Sequence, residues 1–506
     1  MEEMTQWLPV AVAVLVLLAA AATHLRSSSS RHCAGNTRRT VPVPVPATIE
    51  VRDPEAARRM IVDHADTFSD HPAVPFPVDL DAGHPKTTSI NSAPYGPLWR
   101  ALRCNLTAGV LHPSRLAHLA PLQRDAVESL VADLAARGRG GAGRARDEVV
   151  AVRDALYTAV FKVVARMCFG DDGIGERDVR AMQRTLREFF HSGVDARRLA
   201  SSRLARLLHW RQWRYLVGTR GRLAEVFVPA IAARRRRLRR SDGGGVRSYV
   251  DTLLDLRVPD DDDDEDGEPS SGSGGSARRR ALRDDEMVRL VWEFLGAGTE
   301  TVVACVEWTL ARLVAHPEVQ EKLHRELSAG DQRSLQDLPY LRAVILESLR
   351  LHPPVPFILR DVVGLPEGAA AAAAAVGKAV ALPPRNGAPV RFVFMAEDIG
   401  RDPKAWTDAE EFRPERFVGG GEGEDVSPIP GRKQIRMMPF GAGRRHCPGA
   451  GLAVIQAKCF VAALVREFEW APPARGGGGV DHTPTNALFL KVMASPLRAR
   501  IVPRRS

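Results

Sequence analysis

The sequence predicts a mainly α-helical protein with minor β-sheet, built as one large domain behind a short apolar leader. Three observations predict it. Ala, Leu, Arg and Glu, all good helix formers, are abundant, and 44% of the 506 residues are hydrophobic although only 6% are aromatic. Long stretches carry apolar residues at helical spacing, whereas Pro389 to Phe394 alternates weakly as a strand does. No interior stretch reads as a linker between two equal halves.

From Trp7 to Thr23 the chain runs without a charge, close to the length that crosses a hydrocarbon core. Glu2 and Glu3 precede this run, while Arg26, Arg31, Arg38 and Arg39 follow it. The positive-inside rule then puts the N-terminus outside or in a lumen and the body in the cytosol. Residues 1–25 are therefore expected to be a single-pass membrane anchor. A cleaved secretory signal competes, since the alanines at 19–22 could be cut, but its n-region would be basic rather than acidic. Residues 26–46 form a short hinge, stiffened between Thr40 and Pro46 by prolines that remove donors and force extended geometry.

Behind the hinge, helices are expected over Asp125–Arg137, Asp147–Cys168, Asp178–Phe190, Asp284–Ala315, Leu338–Leu351 and Leu452–Phe468. Three stretches read as low-complexity insertions: Pro259–Ser276, acidic and then Gly/Ser-rich, Gly364–Gly377 with its alanine run, and Gly419–Gly423.

The formal charge of +10 and the run Arg234 to Arg240 raise the possibility of nucleic acid, yet no binding motif accompanies them. The run reads as a solvated helix end or as a basic face for an acidic redox partner or anionic lipid. Six cysteines, at 33, 104, 168, 305, 447 and 459, show no CxxC spacing and no disulfide framework, which favours a reducing compartment.

One of those cysteines has unusual surroundings: Phe440-Gly441-Ala442-Gly443-Arg444-Arg445-His446-Cys447-Pro448-Gly449. Two glycines permit a tight turn, and the thiol then stands just ahead of a helical stretch whose free N–H groups favour a thiolate. Such a thiolate can ligate haem iron and favour O–O cleavage, with Arg445 near a propionate. A pattern this specific arises by chance in on the order of one such chain in ten thousand.

The loop resembles the haem-binding segment of the cytochrome P450 family, and further motifs agree in order. Glu347-Ser348-Leu349-Arg350 is similar to the family's Glu-x-x-Arg; residues three apart on a helix share a face, so an ion pair is expected. Phe412-Arg413-Pro414-Glu415-Arg416-Phe417 resembles the segment whose arginine joins that pair, implying a structural network of Glu347, Arg350 and Arg416. Ala297-Gly298-Thr299-Glu300-Thr301 is similar to the acid-Thr pair that serves proton delivery beside dioxygen, with Gly298 weakening the helix there. Trp99-Arg100-Ala101-Leu102-Arg103 resembles a motif in which Trp99 and Arg103 would hold a haem propionate. Asp398 to Pro403 and Arg436 to Phe440 bring the likeness closest to plant microsomal members of the A-type group.

The resemblance implies a P450 fold over residues 47–506, haem b (iron protoporphyrin IX) on Cys447, and Thr301 and Glu300 as catalytic residues. It further implies insertion of one oxygen atom into a lipophilic small molecule, with electrons from NADPH through NADPH-cytochrome P450 reductase at the endoplasmic reticulum membrane. Substrate contacts are expected from Val74–Pro94, Phe189–Leu216, Val355–Leu359 and Asn486–Phe489. Two alternatives stand beside this: a non-oxygenating haem-thiolate isomerase, and a catalytically silent, shortened relative.

Three departures accompany the likeness. Val302 replaces a usual second hydroxyl residue, and Asp361 replaces a usual cationic propionate contact, leaving that contact unassigned although Arg360 is adjacent. Between the anchor and Ala47 the span is also too short for the family's first helix and strand, a shortfall of roughly forty residues by normal element sizes.

Overall fold

The computed structural model describes residues 47–72, 88–138, 149–171, 174–190, 192, 203–240, 246–260, 278–329, 334–363, 390–473 and 480–504. The expected anchor and hinge, the alanine-rich insertion, and the acidic insertion beyond Asp260 lie outside these residues. Among the described residues no helix is long and apolar enough to cross a membrane.

The body is helical. Its main helices are α1 (Pro54–Arg58), α2 (Pro97–Gly109), α3 (Ala120–Arg137), α4 (Arg153–Phe169), α5 (Glu176–Phe190), α6 (Trp210–Leu238), α7 (Tyr249–Asp255), α8 (Asp284–Ala315), α9 (Pro317–Ala329), α10 (Pro339–Leu351) and α11 (Ala450–Glu467). Short strands accompany them: β1 (Ala47–Val51), β2 (Val149–Ala151), β3 (Arg257–Pro259), β4 (Arg279–Ala281), β5 (Ile358–Val362), β6 (Val390–Phe394), β7 (Phe468–Ala471), β8 (Pro484–Ala487), β9 (Leu490–Met493) and β10 (Arg498–Pro503).

α8 runs through the centre and is buried from Glu286 to Val314 on nearly every side, as expected of a helix that is apolar all round. Its N-terminus is closed by Glu286, which accepts the Arg283 N–H at 2.7 Å, and three acidic residues in the first turn complement the helix dipole. α4, α10 and α11 pack against it. The expected weakening at Gly298 does not occur, because α8 is one uninterrupted helix. The glycine serves packing instead: a Cβ there would come within 3.0 Å of Val164 on α4.

In one sheet β1 pairs in parallel with β6, and β6 pairs antiparallel with β5, so among the described residues β1 is an outer strand. A second sheet, ordered β2-β10-β7, trims two expected helices. Val149–Ala151 pairs with β10 before α4 begins, and Phe468 opens β7 rather than ending α11. Neighbouring valines at one end, and the inward alternation of Phe468 and Trp470 at the other, suit a pleated surface better than a helix. Gly419–Gly423 is a packed turn instead of a loose insertion: a Cβ at Gly421 would stand 2.4 Å from the carbonyls of Glu415 and Arg416.

Candidate active site

Cys447 lies in a turn closed by its own N–H, which donates to the Phe440 carbonyl at 2.8 Å. Gly441 and Gly443 take positive φ angles of 71° and 67°, so the turn depends on residues without a side chain. Gly443 also lets the loop touch the helical turn after α1, since a Cβ there would stand 2.3 Å from the Ile61 carbonyl. Burial pushes the Cys447 thiol up from its ordinary value, against the backbone N–H of Gly449 and the positive charge of Arg103, both of which favour a thiolate.

Cations surround this turn. Arg445 is buried and donates to the carbonyls of Ser69 (2.6 Å), Ile90 (3.2 Å), Asn91 (3.5 Å) and Ala93 (2.6 Å) and to Asp70 Oδ1 at 3.4 Å, which occupies its donors. The Trp99 indole N–H donates to the Ile90 carbonyl at 3.0 Å, and the Arg445 guanidinium lies 4.6 Å from the Trp99 ring. Arg103 faces His446 Nε2 at 3.3 Å and keeps donors to spare. Of the expected propionate contacts, Trp99 and Arg445 therefore hold the backbone of residues 90–93, whereas Arg103 retains capacity.

Sequence reasoning left Arg360 unassigned, and the structure places it in this cluster. Its side chain is 1% exposed and bonds the carbonyls of Phe68 (3.0 Å) and Leu359 (2.8 Å), while Nη2 has no hydrogen-bond partner among the described residues. Burial, then the like charge of Arg445, lowers Arg360 to about 9, so it stays charged at neutral pH. Asp361 points to the other face and pairs with Arg391 of β6 at 2.7 Å. Asp70 and Glu293 are the carboxylates that act on the Arg445 side of this cluster.

Glu293, on α8, accepts the backbone N–H groups of Ile90 (2.9 Å) and Asn91 (2.7 Å). Two turns further on, Glu300 and Thr301 serve different faces. Glu300 is buried beside Tyr157 and Arg187, and burial raises its carboxyl to about 7 against the pull of those groups. The Thr301 hydroxyl donates to the Ala297 carbonyl of its own helix at 2.7 Å.

Beneath the loop, Glu347 and Arg350 on α10 form a two-pronged pair at 2.7 and 2.8 Å, and Arg416 Nε joins at 3.1 Å. All three are buried, and their remaining donors bind the carbonyls of Gly400, Ala409, Glu411 and Asp408. Glu422 adds a further carboxylate to Arg416. The glycines around Glu422 hid that role in the sequence.

Comparison with known proteins agrees with this geometry. The Cytochrome P450 family profile matches residues 7–365 and 388–493. Cytochrome P450 89A9 of Arabidopsis thaliana is 33% identical over 499 residues, covering 95% of this chain and 88% of that protein. Cytochrome P450 98A1 of Sorghum bicolor is 31% identical over 81% of this chain and 75% of its own length. A zebra fish cytochrome P450 solved with abiraterone shares the fold at a TM-score of 0.64 and 21% identity, over 90% of this chain and 94% of that one. The chain belongs to the cytochrome P450 family of haem-binding monooxygenases, and its relatives are plant members of the A-type group.

Proposed function

We propose that this chain binds haem b on Cys447 and inserts one oxygen atom of dioxygen into a lipophilic small molecule. The observation that carries the reading is the cation surplus beside a part-buried thiol: Arg103, Arg360 and Arg445 outnumber the carboxylates near them. A buried guanidinium without an anion is costly, and the two propionates of haem would supply the missing charge. The donor set therefore fits the cofactor. Haem, when bound, supplies the thiolate-ligated iron at which dioxygen is activated.

On this reading Cys447 ligates the metal, Arg103 and Arg360 hold propionates, and Trp99 and Arg445 brace the segment beside them. Glu300 and Thr301 guide protons, while Glu347, Arg350 and Arg416 brace the loop from below. An aromatic wall supports a lipophilic substrate: Phe189 and Phe190 pack on Trp292 at 5.1 and 5.8 Å, and Phe489 stands 6.3 Å from Phe190. The reading includes electrons from NADPH-cytochrome P450 reductase and a single-pass anchor at residues 1–25 in the endoplasmic reticulum membrane, leaving the 47–506 domain cytosolic and without the family's first helix and strand.

The absorption spectrum of the reduced, carbon monoxide-bound protein tests the ligand. A thiolate-type maximum that disappears in Cys447→Ala is expected. Retention of that maximum in the variant would show that another group ligates the iron.

A further inference from the structure

Behind the turn that follows α1, two arginines hold successive carbonyls: Arg360 donates to Phe68 at 3.0 Å and Arg445 to Ser69 at 2.6 Å. The Asp361 N–H of β5 adds a third tie, to the Asp70 carbonyl at 3.0 Å. His71 comes next in the chain, and both guanidiniums act on its ring. Its Nδ1 stands 2.8 Å from Asn91 Oδ1, whereas Nε2 is shut off from solvent and has no hydrogen-bond partner among the described residues. A carboxamide oxygen can only accept, so the single proton of the neutral ring sits on Nδ1 and Nε2 presents a bare lone pair. A buried polar atom left unmet costs free energy that a partner would recover.

The charges that act on this ring are cationic: Arg360 from β5 and Arg445 from the cysteine loop. The nearby carboxylates are engaged elsewhere. Asp70, the preceding residue, accepts the Tyr95 N–H at 2.7 Å and Arg445 at 3.4 Å, and Glu293 of α8 accepts the N–H groups of Ile90 and Asn91. Burial first, and then the two guanidiniums, hold the ring well below its ordinary value of 6.5, although the side-chain and backbone oxygens of Asn91 favour its cation. Without an added anion His71 is therefore neutral at neutral pH. Negative charge placed against Arg360 and Arg445 reverses this, because it offsets the repulsion and offers Nε2 an acceptor.

We propose that His71 takes up a proton as haem enters and then donates it, through Nε2, to the haem carboxylate that Arg360 holds. This rests on the assignment of haem to the pocket beside Cys447, and adds that the chain binds the cofactor together with a proton. Cys447 must lose its thiol proton to ligate iron. Haem entry thus releases one proton at Cys447 and captures one at His71, and nothing is oxidised or reduced. The capture has a definite sign. His71 holds more protons with haem than without it, so its share of haem retention grows as pH falls between the two midpoints, by up to about tenfold for each unit of pH. Above both midpoints that share levels off.

The test uses the haem-loaded full chain and two variants: His71→Gln, which donates without titrating, and His71→Arg, which is always charged. Each is equilibrated with apomyoglobin between about pH 5 and 8, and the haem retained is read from the absorption spectrum. Dividing the retention constant of the parent by that of a variant at each pH cancels the pH dependence of the acceptor and of the Cys447 thiol, which all three share. The quotient should climb severalfold or more as pH falls, against both variants. A quotient that is flat against both overturns the proposal. One that climbs against a single variant overturns it too, since the effect then belongs to that substitution and not to titration of His71. Should either variant fail to load haem, His71→Asn takes its place. A parent that acquires no thiolate-type spectrum refutes the haem assignment itself, and the proposal falls with it. A parent with that spectrum and a flat quotient refutes the role of His71 alone.

Discussion

On β5 the choice between Arg360 and Asp361 is a choice of face, because successive side chains on a strand point to opposite sides. Arg360 takes the buried face beside Arg445, and Asp361 takes the face where Arg391 waits. Arg360→Gln should therefore speed transfer of haem to an acceptor apoprotein by roughly tenfold or more, since a hydrogen bond to a charged group contributes about 1.5–3 kcal/mol. Asp361→Asn should change the transfer rate far less, and equal effects would place the propionate contact elsewhere. Glu300 carries a pH signature. Its ordinary value of 4.5 rises to about 7 in the folded chain, so between those values the native state holds a proton that the unfolded chain has released. The stability this contributes is complete at low pH and is lost as pH rises through about 7. Relative to Glu300→Gln, the parent should lose up to about 3 kcal/mol across that window, read from paired denaturation curves.

At the scale of elements, the contact between the cysteine loop and the turn after α1 depends on one missing side chain. Gly443→Ala would combine a positive φ of 67° with a Cβ at 2.3 Å from the Ile61 carbonyl. A loss of about 1–3 kcal/mol or more is expected, visible as a lower thermal midpoint of the haem-loaded protein. The glycine pattern that lets this loop turn tightly also made it legible, as did the long, largely apolar pattern of α8, whose limits match the sequence expectation of Asp284–Ala315. α6 escaped for the opposite reason. Its arginines and the internal Pro229 obscure a buried stripe at Leu216, Thr219, Leu223, Phe227 and Ile231, spaced three or four residues apart as a helix requires. Strands β2 and β7 were unreadable because their partner β10 lies far along the chain. The place of Asp361 could not be read without its cross-strand neighbour Arg391, which no local pattern reveals.

For the whole molecule, β1 is an outer strand of its three-stranded sheet among the described residues, and the span before Ala47 is expected from the sequence to be too short for the family's preceding strand and helix. Inserting a relative's segment between Thr40 and Ala47 should cover that edge, raising haem-loaded yield and thermal midpoint. Failure of both to rise would mean that the shortfall before Ala47 is tolerated. The cysteine loop, the Glu347 network and α8 are assembled from residues 284–467, so the insertion should leave the carbon monoxide spectrum unaltered. Residues 90–93 connect the two sides of this assembly: Glu293 holds their N–H groups from α8 and Arg445 holds their carbonyls from the cysteine loop. That clasp makes the segment expected to touch substrate and the cofactor seat two ends of one lever. A guest that lifts the segment off Glu293 also loosens Arg445, and by thermodynamic reciprocity bound haem weakens such a guest by the same factor, so that the haem-free protein binds it more tightly. Tight-binding guests should thus divide into those that lengthen the half-life of haem retention and those that shorten it, according to whether they leave this short segment seated.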